Sequence, residues 1–292
     1  MTQTFRKLAI LLVSGFVLGA GWTLPARAAA DDVAAHMAAA EQAYRAGDLA
    51  LAKQRFEALA RRGVMEAQYQ IGILLSGSLD EADRGRSVLW LTNASAQGHK
   101  KAFALLQTFA ALGEADAIYA VGMIYLTGGA VPEDGIKALE HFMESAALDY
   151  GPAMNEIGLM YRDGRIVPQD YEQARRWFEG AAQNGSGIAV TNLGGLYFEG
   201  LGVEADPELA FGLYLTAAKL DEPRAQLLVG AAFFKGDIFK QDIVESAYWL
   251  ARAEINQSER AAEFLPLVIE QMTEDQREEV ARRLEADAAS GR

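Results

Sequence analysis

The chain has 292 residues, 51% of them hydrophobic, with 27 basic against 40 acidic side chains and a net charge of −13. It contains no cysteine, which excludes disulfides, a thiolate metal site and lipid attachment through cysteine. The acidic balance argues against nucleic acid and against anionic membrane surfaces as partners.

In chain order, Arg6 and Lys7 precede an apolar run from Leu8 to about Ala20, followed by Pro25 and Ala26-Arg27-Ala28. This is the order of a secretory signal over residues 1–28, with cleavage after Ala28 and a periplasmic mature chain. The run is too short and too rich in glycine for a spanning helix, which needs about 20 apolar residues. Residues 29–64 hold a short helical hairpin turning at Gly47-Asp48, and residues 65–98 a second hairpin with a longer turn. Residues 99–114 are surplus to the repeats on either side and form one inserted helix, starting near Ala102.

From residue 115 a period of 36 residues governs the chain. Gly122, Gly158, Gly194 and Gly230 lie in one column, Gly128, Gly164, Gly200 and Gly236 in another, and Asp134, Asp170, Asp206 and Asp242 in a third. Tyr125, Tyr161 and Tyr197 repeat likewise, ending in Phe233. Units therefore span 115–150, 151–186, 187–222 and 223–256. Each reads as two amphipathic helices, A and B. In the second of these units, Ala153, Ile157 and Tyr161 share one helical face, and Ala174, Trp177, Phe178 and Ala181 another. The architecture expected is all-α: a right-handed α-solenoid of stacked helix-turn-helix repeats, since no single hairpin buries its own stripe. Residues 257–292 leave the period and supply C-terminal capping helices, the last opened by Thr273-Glu-Asp-Gln276 as a capping box.

The glycines invite a nucleotide reading, because Gly195 and Gly200 are spaced as in a phosphate loop. That reading fails: no Lys-Ser/Thr follows, and the preceding segment is helical. Gly194 instead sits mid-helix, where a missing side chain lets helix B approach. Gly200 suits a left-handed helix end, and Asp206 an N-cap.

The stretch from Ala153 to Gly185, with Gly158, Tyr161, Gly164, Val167, Asp170, Ala174, Trp177, Phe178, Ala181 and Ala182, resembles a Sel-one-like repeat of the tetratricopeptide superfamily. The resemblance extends over residues 115–256. It also covers the hairpin of 65–98, where Ala67, Gly72, Gly77, Asp83, Ser87, Trp90, Leu91, Ala94 and Gly98 match once one loop residue is deleted. Residues 29–64 resemble an ordinary tetratricopeptide hairpin.

No catalytic constellation emerges. His36, His99 and His141 lack metal-ligand spacing, no nucleophile elbow is present, and no cofactor, metal or nucleotide is implied. The resemblance implies that helix A faces line a concave groove for a protein partner. Residues three before, one after and four after each mid-helix glycine should point there: Tyr69, Tyr119, Met123, Leu126, Asn155, Leu159, Arg162, Phe198, Leu227 and Phe234. Packing between repeats is the competing reading for these rows, and Tyr119, Arg162, Phe198 and Phe234 are the ones assigned to the groove. The function expected is a non-enzymatic periplasmic scaffold or adaptor for another envelope protein or peptide, reaching membranes only through that partner. The resemblance adds one specific expectation, since some exported members of the family restrain sensor kinases or organise envelope machinery. Some cysteine-rich relatives bind or hydrolyse β-lactams, and although this chain lacks their cysteines, a peptidoglycan- or β-lactam-directed role is the alternative.

Overall fold

The computed structural model describes residues 26–290, so all but the last three residues of the expected signal lie outside the described residues. Among the described residues there are fifteen helices and no strand. They are α1 (Ala26–Arg45), α2 (Leu49–Arg61), α3 (Met65–Ser76), α4 (Glu81–Ala96), α5 (Lys100–Ala111), α6 (Ala115–Thr127), α7 (Gly135–Ala146), α8 (Gly151–Asp163), α9 (Tyr171–Gln183), α10 (Gly187–Glu199), α11 (Pro207–Lys219), α12 (Pro223–Lys235), α13 (Ile243–Ile255), α14 (Glu259–Ile269) and α15 (Glu274–Ser290). Most consecutive helices pack on one another, giving an all-α solenoid of helical repeats. None of the described helices is long and apolar enough to cross a membrane.

The mid-helix glycines are steric devices. A Cβ on Gly122, Gly158, Gly194 or Gly230 would stand 2.7, 2.5, 2.7 or 2.8 Å from Phe142, Phe178, Tyr214 or Leu250 on the paired helix B. Each missing methyl group thus admits one large side chain, and fully burying such a side chain is worth about 1.5–3 kcal/mol. The second glycine column is left-handed, with φ of 78°, 67°, 70° and 72° at Gly128, Gly164, Gly200 and Gly236. It closes helix A without the strain that a β-carbon would bring.

The aspartate column caps helix B. Side chains of Asp134, Asp170 and Asp206 accept from the backbone N–H three residues on, at 3.1, 3.0 and 2.9 Å, and Asp242 accepts from both Val244 and Glu245. Each such cap is worth about 0.5–2 kcal/mol. The same aspartates do a second job that side-chain patterns do not reveal. Their own N–H groups donate to the carbonyls of Tyr125, Tyr161, Tyr197 and Phe233, at 2.7–3.0 Å, clasping the turn shut across nine residues.

The hairpin of α3 and α4 departs from this plan. Asp83, which matches the capping column, lies inside α4, and Asp80 is the cap, accepting from Ala82 N at 2.9 Å. Asp83 pairs instead with Lys53 and Arg86, and the hydrogen bond to Arg86 chiefly holds its carboxyl below the usual range. Gly77 is right-handed, with φ of −81°. The turn here spans only residues 77–80, against seven residues in the later repeats, so α4 starts three residues early and takes Asp83 into its first turn.

The chain forms two compact units, one ending at Ile157 and the other beginning at Gly158. In the unit that ends at Ile157, Phe56, Leu59, Ile71 and Leu75 centre one apolar cluster and Leu91, Phe103, Leu106 and Ile124 a second. The inserted helix α5 begins at Lys100 and buries Ala102, Phe103 and Leu106 against α4 and α6. His99 is its N-cap, accepting from Ala102 N at 3.1 Å.

In the unit that begins at Gly158, one apolar cluster runs from Val190 to Leu284. Thr273 N donates to Gln276 Oε1 at 2.9 Å, and Gln276 N donates back to Thr273 Oγ1 at 3.4 Å, the reciprocal pair of a capping box. From α15, Val280 and Leu284 enter the core, Asp287 accepts from the Tyr248 hydroxyl at 2.6 Å, and Arg283 binds Glu245 through both nitrogens.

A polar node centred on the fully buried Gln226 joins three helices in the same unit. Gln226 Nε2 donates to Ala218 O at 3.1 Å, and Gln226 Oε1 accepts from Asn256 Nδ2 at 3.0 Å. Gln68 repeats the arrangement between Ala60 O and Gln97 in the other unit.

Candidate functional site

The residues expected to line a groove fall into several environments. In the first unit, Asn155 is 5% exposed and belongs to the interior, which excludes it from any free surface. Tyr119 is half-buried between Phe142 and Tyr150, with ring centres 5.5 and 5.4 Å away, and burial pushes its phenol up from the ordinary value. Tyr69 stacks on His99 at 4.2 Å, while Met123 and Leu126 are half-buried.

In the second unit, Leu159 and Leu227 are half-buried, and Leu227 packs on the apolar cluster. Phe234 also packs there, meeting Phe264 of α14 edge-on at 5.2 Å. Phe198 differs from all of these: it is 50% exposed on α10. Arg162 is partly exposed at the end of α8, its Nε donating to Asp163 Oδ1 at 2.7 Å.

Arg162 lines a cleft of about 420 Å3 that lies wholly within this second unit. The cleft is formed by the end of α8, the turn leading to α9, one face of α10, and the start of α12. Its cationic side chains are Arg162, Arg165 and Arg224, and its anionic ones are Asp163 and Glu199. Arg224 is steadied by Asn192, whose Oδ1 accepts from Nη1 at 3.3 Å. Thr191 Oγ1 lies 2.9 Å from Glu222 Oε2 and is buried. Gln169 Nε2 donates to the carbonyl of Arg162 at 2.8 Å, which fixes the rim of the turn. Tyr171, Leu196 and Leu201 supply the apolar lining.

The rows counted from the mid-helix glycines reach only part of this cleft. Arg162 was legible, being four residues after Gly158. Arg165 lies in the turn and Arg224 in the first turn of α12, both off those rows. One signal was available in the sequence: Gly195 is the glycine of a row otherwise filled by Ile73, Met123, Leu159 and Ala231. Its neighbour Gly194 is required by Tyr214. A Cβ on Gly195, by contrast, would meet only Tyr214 Oη, at 3.9 Å. Packing does not demand Gly195, and it costs the helix about 1 kcal/mol relative to Ala. What its bareness does is keep the cleft open.

His141 stacks on Tyr125 at 5.6 Å, a packing position, and among the described residues no group of three acidic or histidine side chains is placed to hold a metal. The arrangement suits recognition by shape and charge.

The comparisons with known proteins agree with this architecture. The Sel1 repeat model matches residues 66–99, 115–150, 151–186, 187–222 and 223–254, together more than half of the chain. A Sel1 repeat protein from Oxalobacter formigenes is 22% identical in a solved structure, with a TM-score of 0.53, covering 79% of this chain and 86% of that one. The protective antigen c5321 of uropathogenic Escherichia coli, which displays an SLR fold, is 20% identical with a TM-score of 0.53. That match covers 89% of this chain and 61% of the antigen. At these identities the likeness concerns the fold. No curated protein matches the chain. The five matched repeats, four of them built on the full glycine and aspartate columns described above, make this chain a member of the Sel1 repeat family.

Proposed function

We propose that the chain is a non-enzymatic scaffold or adaptor of the periplasm that holds a protein or peptide partner on its helix A faces, and thereby organises or restrains an envelope complex or sensor kinase. One observation carries this reading: Phe198, an aromatic side chain half exposed on α10, stands on the same helix as the cleft residues Thr191, Asn192, Gly195 and Glu199. A large apolar side chain left in water beside polar, pre-positioned groups is the composition of an interface anchor. The pre-ordered helices let it bind without an ordering cost. The export signal read in residues 1–28 supplies the compartment.

The test is site-specific photo-crosslinking from position 198 in intact cells, with mass spectrometry of the adduct, set beside a Phe198→Asp chain. Partner capture from the native helix face, lost in Phe198→Asp with the thermal midpoint unchanged, is the expected result. A large drop in the thermal midpoint would place Phe198 in the core and end the assignment. Recovery of the chain in the cytosolic fraction would end the periplasmic part.

A further inference from the structure

The last helix A of the solenoid lacks the partner that every earlier one has. α14 continues the helix A series: Ala261 is fully buried as Ala225 is one period earlier, and Phe264 packs edge-on against Phe234 of α12. In the repeats before it, helix B covers the side of helix A that carries the mid-helix glycine. α15 does not do this for α14. It packs on α13 instead, where Asp287 holds the Tyr248 hydroxyl and Arg283 holds Glu245. Pro266 stands where the glycine column falls, 36 residues after Gly230, and it is exposed. Around it Glu259, Ala262, Glu263 and Glu270 are exposed as well, and Leu267 is 55% exposed.

A cap needed only for solubility has a polar outer face. This one sets an apolar step, Pro266 and Leu267, among carboxylates. The proline is also inside the helix, where it supplies no N–H to the carbonyl of Ala262 and weakens α14 without serving the core. The charge on this face selects its occupant. Glu259, Glu263 and Glu270 form no ion pair among the described residues, and Glu274 is paired with Arg277. Over residues 259–277, five carboxylates stand against two guanidinium groups, which leaves three negative charges. From this we infer that the open face of α14 receives a basic amphipathic helix of a partner protein, in the place of the missing helix B. Its apolar stripe lies on Pro266 and Leu267, and its cations meet Glu259, Glu263 and Glu270. A second copy of this chain would bring a net charge of −13 to the same face. The surface is separate from the α10 face that carries Phe198, and its occupancy does not depend on a partner there.

The test titrates the purified chain into labelled peptides of about 18 residues, or five helical turns, and reads fluorescence anisotropy. One peptide is an amphipathic helix of leucine and lysine, the second has the same composition scrambled to destroy the stripe, and the third is a leucine–glutamate helix. The leucine–lysine helix should bind about tenfold or more tightly than the scrambled peptide, and the leucine–glutamate helix should not bind. Glu263→Lys and Leu267→Asp should each weaken that binding about tenfold or more. Both side chains are exposed, so the thermal midpoint should stay in place. Phe198→Asp should leave the binding unaltered. Equal binding of the ordered and scrambled peptides would reduce the effect to general attraction by an acidic chain and overturn the assignment, as would no binding at all. Binding that survives both α14 variants, or that Phe198→Asp removes, would place the helix elsewhere and overturn it too. A dimer in sedimentation that Leu267→Asp dissociates would give the face to a second copy and overturn the basic helix.

Discussion

A β-carbon on Gly158 would lie 2.5 Å from Cε1 of Phe178, so helix A and helix B meet where one has no side chain and the other has a fully buried ring. Gly158→Ala should therefore destabilise the chain by about 1–3 kcal/mol through overpacking, against the roughly 1 kcal/mol that alanine gains as a helix former. Gly212 is the control. It lies in α11, where an added methyl group would meet nothing within 4 Å, and Gly212→Ala should stabilise by about 0.5–1 kcal/mol. Urea unfolding of the two variants measures both signs, and a stabilising Gly158→Ala would refute the packing account.

Gln226 is expected to be a poor site for an apolar residue even though it is fully buried. Gln226→Leu removes the acceptor of one Asn256 Nδ2 hydrogen, whose other bond goes to Asp221 O, and one of the donors to Ala218 O, and stability should fall by about 1–3 kcal/mol. In the double variant with Asn256→Ala, part of that loss should disappear, because the orphaned amide is gone. Strict additivity in the cycle would mean that the pair carries no coupling.

Gln257 occupies a left-handed position, with φ of +69°, in the column that holds Gly113, Asp149, Gly185 and Asp221. Gln257→Gly should raise stability by about 0.5–1 kcal/mol, since glycine adopts that conformation without steric cost. Asp221→Gly should bring no such gain. Its carboxylate pairs with Arg252 and accepts from Gln226, and both contacts would be lost. Thermal unfolding of the two variants side by side checks the contrast.

Burial holds the Glu254 carboxyl above its ordinary value. The folded chain thus keeps that proton more readily than the unfolded one, and stability falls as pH rises from the unfolded toward the folded pKa. At neutral pH the ionised group, near the negative end of α13, is a net cost. Glu254→Gln should raise the thermal midpoint at pH 7, with the advantage shrinking as pH falls toward the ordinary glutamate value of about 4.3. An advantage independent of pH would show that ionisation is not its origin.

The repeat period made the fold legible, because each column records a side chain that is present or missing for a steric reason. Gly158, Gly200 and Asp206 needed only their positions to be understood. Asp83 was misleading, since α4 starts three residues early and moves the cap to Asp80 while the sequence still offered an aspartate close to register. Phe234 stood in the expected groove row, yet α14, which leaves the period, places Phe264 against it. Asn155 was counted outward by the same rule and lies inside. The cleft was only partly visible, because Arg165 and Arg224 come from a turn and a helix start that no row counted from the glycines reaches. Those distances are set by how hairpins stack, and stacking leaves no periodic mark of its own.

The clasp between Asp206 N and Tyr197 O, 2.8 Å long, also sets where this protein tolerates added length. A residue added between these two must break the clasp, displace the cap on α11, or bulge from a ring that has no slack. The shortened turn of the α3–α4 hairpin illustrates this: the Asp80 N–H turns to Ser78 Oγ at 3.2 Å instead. The longest addition on the repeat scaffold, α5, enters at a junction between hairpins, where its own caps and apolar stripe make it self-sufficient. Foreign segments are best spliced at those junctions, as whole helices, and the turns inside the hairpins are best left untouched.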